Sequence, residues 1–238
     1  MSGTSNWDYL AKRLIWDELP ALSGRVLDFG SGSGETAAHL SESCAVTAVE
    51  PDAAAVSGRA DGDYTQLLGG VELLSEMPDR SFDAVICHNV LEYVPNGSEL
   101  SPESARAAVL RELSRLLKPG GILSIVKHNR AGRVMQYAVL LDEPEEAAAL
   151  LDGKNSGSAV FGTINYYEDD EIASVCPELE LVRVYGLRTF FDLQQKQEKH
   201  SDPDWRERML ALERKVSVLP EFQTVSFFHH LIYKKGKY

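Results

Sequence analysis

The chain has 238 residues, 44% of them hydrophobic and 25% charged, with a formal net charge of −12; this length and balance suit one domain with a sizeable core. No run approaches the ~18 apolar residues of a membrane-spanning helix, and Met1 to Leu10 lacks the basic start and apolar centre of a signal peptide. The three cysteines, Cys44, Cys87 and Cys176, are too scattered for a disulfide framework or a structural zinc site, so a cytoplasmic protein without metal, its thiols packed as small hydrophobes, is expected.

The charge is uneven. Arg183 to Tyr238 carries eleven Lys/Arg against seven Asp/Glu, which leaves −16 on the first 182 residues. A mildly basic segment on an acidic body suits either a local polyanion contact or ordinary solvated helix faces.

Asn6 to Leu19 repeats apolar residues at Trp7, Leu10, Leu14, Ile15 and Leu19, a helical period that Pro20 stops. Val26 to Phe29 reads as a buried parallel strand. Glycine then recurs at every second position, Gly30-Ser31-Gly32-Ser33-Gly34, before the helix-forming stretch Glu35 to Leu40. Strand, glycine loop and helix in this order make a nucleotide-type binding turn. The third glycine comes one residue earlier than a dinucleotide fingerprint requires. Asp28, two residues before the first glycine, suits a cationic amino-acid group or a sulfonium better than a pyrophosphate.

Ala45 to Glu50 is the second strand. Glu50 lies 20 residues after Gly30, the offset at which a carboxylate accepts ribose hydroxyls. Tyr64 to Leu68 is a weaker third strand, followed by Gly70-Val71-Glu72-Leu73. Phe82 to Cys87 is the clearest strand and runs into the polar pair His88-Asn89. A helix over Pro102 to Leu117, with Ala105, Val109, Leu113 and Leu116 on one face, ends at Lys118-Pro119-Gly120-Gly121, and Ile122 to Val126 is strand five.

Val26 to Gly34, Val46 to Asp52, Phe82 to Val94 and Leu116 to Val126 together resemble four motifs of the class I S-adenosylmethionine (SAM) methyltransferases. The resemblance implies an α/β, Rossmann-like seven-stranded fold, mostly parallel with one antiparallel strand. It also implies SAM as cofactor, with Glu72 near the adenine amino group.

In the second half, Arg130 to Ser158 reads as an alanine- and acid-rich helical insertion with a mobile end, positioned to act as a lid. Tyr166 to Val175 is expected as a helix with Glu168 to Glu171 in its first turn. Leu179 to Phe190 is expected as a strand, Pro203 to Leu219 as an amphipathic insertion, and Thr224 to Tyr233 as the inserted antiparallel strand. The reading is one domain over 1–238 with helical insertions at about 130–160 and 193–219.

Gly186-Leu187-Arg188-Thr189-Phe190-Phe191-Asp192 and His88-Asn89-Val90-Leu91-Glu92-Tyr93-Val94 resemble the bacterial tRNA 5-carboxymethoxyuridine carboxyl methyltransferases. That resemblance implies methyl-ester formation on a modified wobble uridine. It puts Asp28, Gly30, Ser31, Gly32, Gly34, Glu50, Val71, Glu72 and His88 around SAM. The family's N-terminal arginine falls on Ala11, leaving Lys12 or Arg13 as substitutes. A carboxylate acceptor has a reference pKa near 4 and arrives ionised, so no general base is needed. What it needs is an orienting group: Arg188 is the candidate, with Asn129 and Arg130 at the mouth of strand five. The competing readings are a small-molecule acceptor, which the acidic surface favours, and a SAM-binding protein without catalysis.

Overall fold

The computed structural model describes residues 6–94, 100–154, 156–159 and 162–237. Helix α1 (Asn6–Glu18) leads into β1 (Arg25–Phe29), α2 (Glu35–Leu40), β2 (Ala45–Glu50), α3 (Ala53–Ser57), β3 (Thr65–Leu68), α4 (Val71–Glu76) and β4 (Phe82–His88). After a 3-10 turn at Leu91–Tyr93 come α5 (Pro102–Leu116), β5 (Leu117–His128), α6 (Arg130–Met135), a π-helical turn at Gln136–Leu140 and α7 (Pro144–Leu151). Then follow β6 (Ser156–Ala159), β7 (Gly162–Asn165), α8 (Glu171–Val175), β8 (Leu179–Leu187), α9 (Pro203–Val216), α10 (Pro220–Gln223) and β9 (Phe228–Lys235), with two short 3-10 turns between β8 and α9.

Seven strands form one sheet in the order β3-β2-β1-β4-β5-β9-β8. β1 to β5 are parallel, and β9 inserts antiparallel between β5 and β8. This is the architecture the motifs imply. The chain order reverses between β1 and β4, the switch point at which an open α/β sheet leaves a crevice beyond its carboxyl ends. Apolar side chains fill both faces. One core joins Val85, Cys87 and Leu123 to Leu110 and Leu113 of α5 and Ile172 of α8. On the other face, Val126 and Phe228 meet Leu10 and Leu14 of α1 and Leu210 of α9. Cys44, Cys87 and Cys176 are buried thiols.

Several boundaries differ from the sequence reading, each for a local reason. β5 already pairs at Leu117, and the Lys118–Gly121 stretch is a bulge against Phe82–Ala84, with Gly120 at φ +81°. The 130–160 segment is helical only as far as Leu151; β6 (Ser156–Ala159) then pairs antiparallel with β7 (Gly162–Asn165). Helix α8 starts at Glu171, and in the approach to it Tyr166 and Tyr167 are buried and ion pairs hold Asp169. β8 stops at Leu187 because Arg188 takes φ +59°, and α10 delays the start of β9 to Phe228.

Candidate active site

The carboxyl edge of the sheet gathers the ends of β1, β2 and β4 on one side and those of β5 and β8, with the start of β9, on the other. At the β1 end, the Gly30 and Ser31 amides donate to the Val49 carbonyl at 2.9 and 3.1 Å. Gly30 sits at φ +75°, and a Cβ there would strike the Val90 side chain, so only glycine fits both the turn and the space. Glu50 ties the loop to β2: Oε2 accepts the Gly32 amide at 2.7 Å and Oε1 the Asp52 amide at 2.9 Å. Each oxygen keeps lone-pair capacity for a further donor such as a ribose hydroxyl. Gly34 closes the loop at φ +74°, and the Ser31 hydroxyl lies 3.4 Å from Gln66 Nε2 of β3.

Asp28 is buried at the base of this loop. Burial pushes its carboxyl up to about 7; the Lys12 charge opposes the rise and Glu50 adds to it. Its Oδ2 has no partner among the described residues. A buried carboxylate oxygen at the base of a glycine loop, with no ion-pair partner, fits a positively charged ligand group. Lys12 of α1 pairs with Glu35, and its charge reaches both Asp28 and His88. Arg13 turns toward Glu207 of α9 instead, at 3.7 Å. Of the two substitutes for the N-terminal arginine, Lys12 is therefore the one that faces the loop. Val71 and Glu72 open α4 beyond β3; the exposed Glu72 carboxylate folds back onto the Gly70 amide at 2.7 Å, which lowers its pKa.

His88 ends β4 with Nε2 2.8 Å from Ser124 Oγ. The same hydroxyl lies 2.8 Å from His230 Nε2, and His230 Nδ1 lies 3.0 Å from Glu18 Oε2 of α1. Burial, with smaller contributions from His230 and Lys12, drives the His88 pKa well down, and burial alone takes His230 to about 3. Both shifts favour the neutral ring. Asn89, next along, is exposed at φ +55°.

The other side of the edge is built from ion pairs, some local and some between distant segments. Arg188 Nε and Nη2 lie 2.8 and 2.6 Å from the two Asp192 oxygens, and the guanidinium stacks over Phe227 and Phe228. Burial still pushes the Asp192 carboxyl up against the pull of that cation. Arg188 and Asp192 line a small cavity with Gly132, Gln136 and Phe227. The turn itself is moulded by Glu213 of α9, whose oxygens accept the amides of Thr189, Phe190 and Phe191, each at 2.8 Å.

The Asn129 amide is fully occupied. Its nitrogen donates to the carbonyls of Thr224 and Ser226 at 3.1 and 2.8 Å, and its oxygen accepts the Ala131 amide at 3.3 Å. A Cβ on nearby Gly132 would run into the Ser226 and Phe227 backbone. Asn129 ties the end of β5 to the segment between α10 and β9, which corrects its assignment as a catalytic group.

Sequence reasoning missed two arrangements here. Glu92 Oε1 accepts both the amide and Nδ1 of His128, at 3.2 and 2.7 Å, beneath Phe227 and Phe228. Asp169 binds Lys127 at 2.8 Å and His229 at 2.7 Å; burial opposes its ionisation, but these partners prevail and hold its pKa at about 2. With Arg130, Tyr167 and Glu168, that trio lines an open cavity of about 360 Å³. A pair 36 residues apart and a trio spanning more than 100 give no local pattern. The single usable signal was the histidine at the end of a strand.

Residues 27–125 match the family model described as a methyltransferase domain. These residues form a SAM-dependent methyltransferase domain. The glycine loop, Glu50 and the unpartnered Asp28 oxygen are the groups that fit its cofactor. Across 95% of this chain and 88% of the relative, the methyltransferase is 26% identical to the tRNA 5-carboxymethoxyuridine methyltransferase of Escherichia coli K12. It is 33% identical to the ubiquinone biosynthesis O-methyltransferase of Dechloromonas aromatica over 54% of this chain and 55% of that one. A SAM-dependent methyltransferase from Methanosarcina mazei shares the fold at a TM-score of 0.58, with 16% identity and coverage of 93% and 97%. Among the described residues no helix is long and apolar enough to cross a membrane, and no group of three or more His, Cys, Asp or Glu is placed to hold a metal ion.

Proposed function

We propose that this methyltransferase esterifies a carboxylate on a modified tRNA wobble uridine. The observation that carries the reading is the reach of the similarity. The tRNA-modifying relative aligns over 95% of the chain, including the acceptor side, whereas the ubiquinone-pathway relative aligns over 54%.

Bound SAM supplies a methyl group on a positively charged sulfur. Gly30, Ser31, Gly32 and Gly34 give it a bare main-chain surface, Glu50 accepts its ribose hydroxyls, and Val71 and Glu72 flank the adenine. Asp28 ionises against its positive charge, Lys12 balances its carboxylate, and His88 bounds the methyl side. An ionised acceptor carboxylate needs no base, only alignment and loss of water. Arg188, fixed by Asp192 beside Phe227, is the orienting cation of this reading.

A second reading rests on the Glu92–His128 pair. With Nδ1 held by a carboxylate, Nε2 is left as an acceptor, the arrangement of a general base. A neutral hydroxyl on a small molecule would use such a base.

Transfer of labelled methyl into tRNA from a strain lacking this gene, followed by mild alkali, separates the two. Label that enters tRNA and is released by alkali supports the ester. Alkali-stable label in a small-molecule extract, with none in tRNA, overturns it in favour of the hydroxyl acceptor. Affinity for tRNA should also fall steeply with salt.

A further inference from the structure

Four side chains, half-buried His88 and three that are buried or nearly so, form one unbroken hydrogen-bonded line from the cofactor side of β4 to helix α1. The line is His88, Ser124, His230 and Glu18, joined by contacts of 2.8, 2.8 and 3.0 Å. It crosses three neighbouring strands, because Val126 of β5 pairs with His88 of β4 on one side and with His230 of β9 on the other. Ser124, two residues before Val126, points to the same face of the sheet. His230 and Ser124 are fully buried and Glu18 is nearly so.

Such a line has a direction. A serine hydroxyl has one proton, so it donates to one histidine and accepts from the other. Each neutral imidazole likewise carries one N–H, so the state at one end dictates the state at the other. No lysine or arginine forms an ion pair with Glu18 among the described residues: on its own helix its charged neighbour is Asp17, which Arg214 of α9 holds at 2.5 Å. From the segment after α9 it meets Ser217, and from β9 it meets neutral His230. Burial and the want of a cation favour the protonated form of this carboxyl, which can donate from Oε2 to His230 Nδ1.

We propose that Glu18, His230 and Ser124 are positioning residues that fix His88 as its Nδ1–H tautomer, making it a hydrogen-bond donor toward the SAM site. Glu18 donates to His230 Nδ1, His230 Nε2–H donates to Ser124 Oγ, and the Ser124 hydroxyl donates to His88 Nε2. The remaining His88 proton must then sit on Nδ1. That atom has no partner among the described residues and is not sealed from solvent. A fixed donor there suits an acceptor atom of the ligand. The proposal rests on the reading that His88 bounds the cofactor.

Histidine ¹⁵N shifts of the ligand-free protein test it directly. The expected result is Nδ1–H at His88 and Nε2–H at His230. Ser124→Ala should release His88 into a tautomer mixture and weaken S-adenosylhomocysteine about tenfold, roughly the loss of one hydrogen bond. Glu18→Gln, whose amide can also donate to His230 Nδ1, should preserve both the shifts and the affinity. An Nε2–H His88 in the wild type overturns the proposal, even if the Ser124 variant fails to fold. So do shifts unmoved by Ser124→Ala. Wild-type protein that shows the expected tautomers but binds no S-adenosylhomocysteine would instead remove the cofactor role of His88, and the two failures are distinguishable.

Discussion

The two sides of the carboxyl edge are built by opposite means. On the cofactor side, main-chain amides and turns do the work, over short stretches of sequence: Glu50 reaches Gly32 across 18 residues. On the acceptor side, side chains from remote segments neutralise one another, and Asn129 reaches Ser226 across 97. The buried acids show the contrast. Asp28 has no cation paired to it and one oxygen without a partner, and is pushed up to about 7, whereas Asp169 binds Lys127 and His229 and is held at about 2. One side therefore leaves a charge requirement open for a ligand, and the other closes its requirements internally.

The largest expected effect lies with Asp28. Raising a carboxyl from 3.8 to about 7 disfavours the folded, ligand-free state by about 4 kcal/mol once the group is forced to ionise. The unfolded chain loses this proton first, so stability is undiminished below pH 4 and declines as pH rises through 7. Urea unfolding at pH 8 should find Asp28→Asn more stable than wild type, with the difference gone near pH 4. The same variant should bind SAM more weakly. If its stability curve runs parallel to wild type, the buried carboxylate is not the source of the decline.

Arg188→Ala comes next. It leaves Asp192 buried without its cation and should cost about 3 kcal/mol, measured as a lower urea midpoint. Adding Asp192→Asn should recover much of that loss. Activity that stays absent in the refolded double variant would assign Arg188 to the acceptor; activity that returns would make it scaffold.

The smallest effect is at Asp169, and it has the opposite sign to that at Asp28. A carboxyl held at about 2 rather than 3.8 contributes about 2 kcal/mol above pH 4, and this is lost as pH falls toward 2. Asp169→Asn should therefore be less stable at pH 7, with most of the deficit gone by pH 2 and the rest below it. An undiminished deficit at pH 2 would show that lost packing, not charge, accounts for it.

The same contrast governs what could be read from the chain alone. The glycine spacing, Asp28, Glu50 and the strand run Phe82 to Cys87 announce themselves because a turn and a parallel strand are local constraints. Arg188 could be singled out, but its partner Asp192 could not, since the i, i+4 pairing forms only after β8 breaks at a left-handed residue. Asn129 misled because an amide at a strand end looks the same whether it faces a ligand or two carbonyls 95 and 97 residues away. The β6–β7 pair was hidden by short, glycine- and serine-rich strands with no clear alternation.

Glu213 has a consequence for how this edge can change. It reads the amides of residues 189–191 and no side chain there, so the path of that turn is stored on a helix more than twenty residues downstream. The partly exposed Phe190 can be replaced while its amide remains gripped. A lineage could thus vary the surface offered to acceptors and inherit its framework unaltered, as long as one glutamate on α9 is kept.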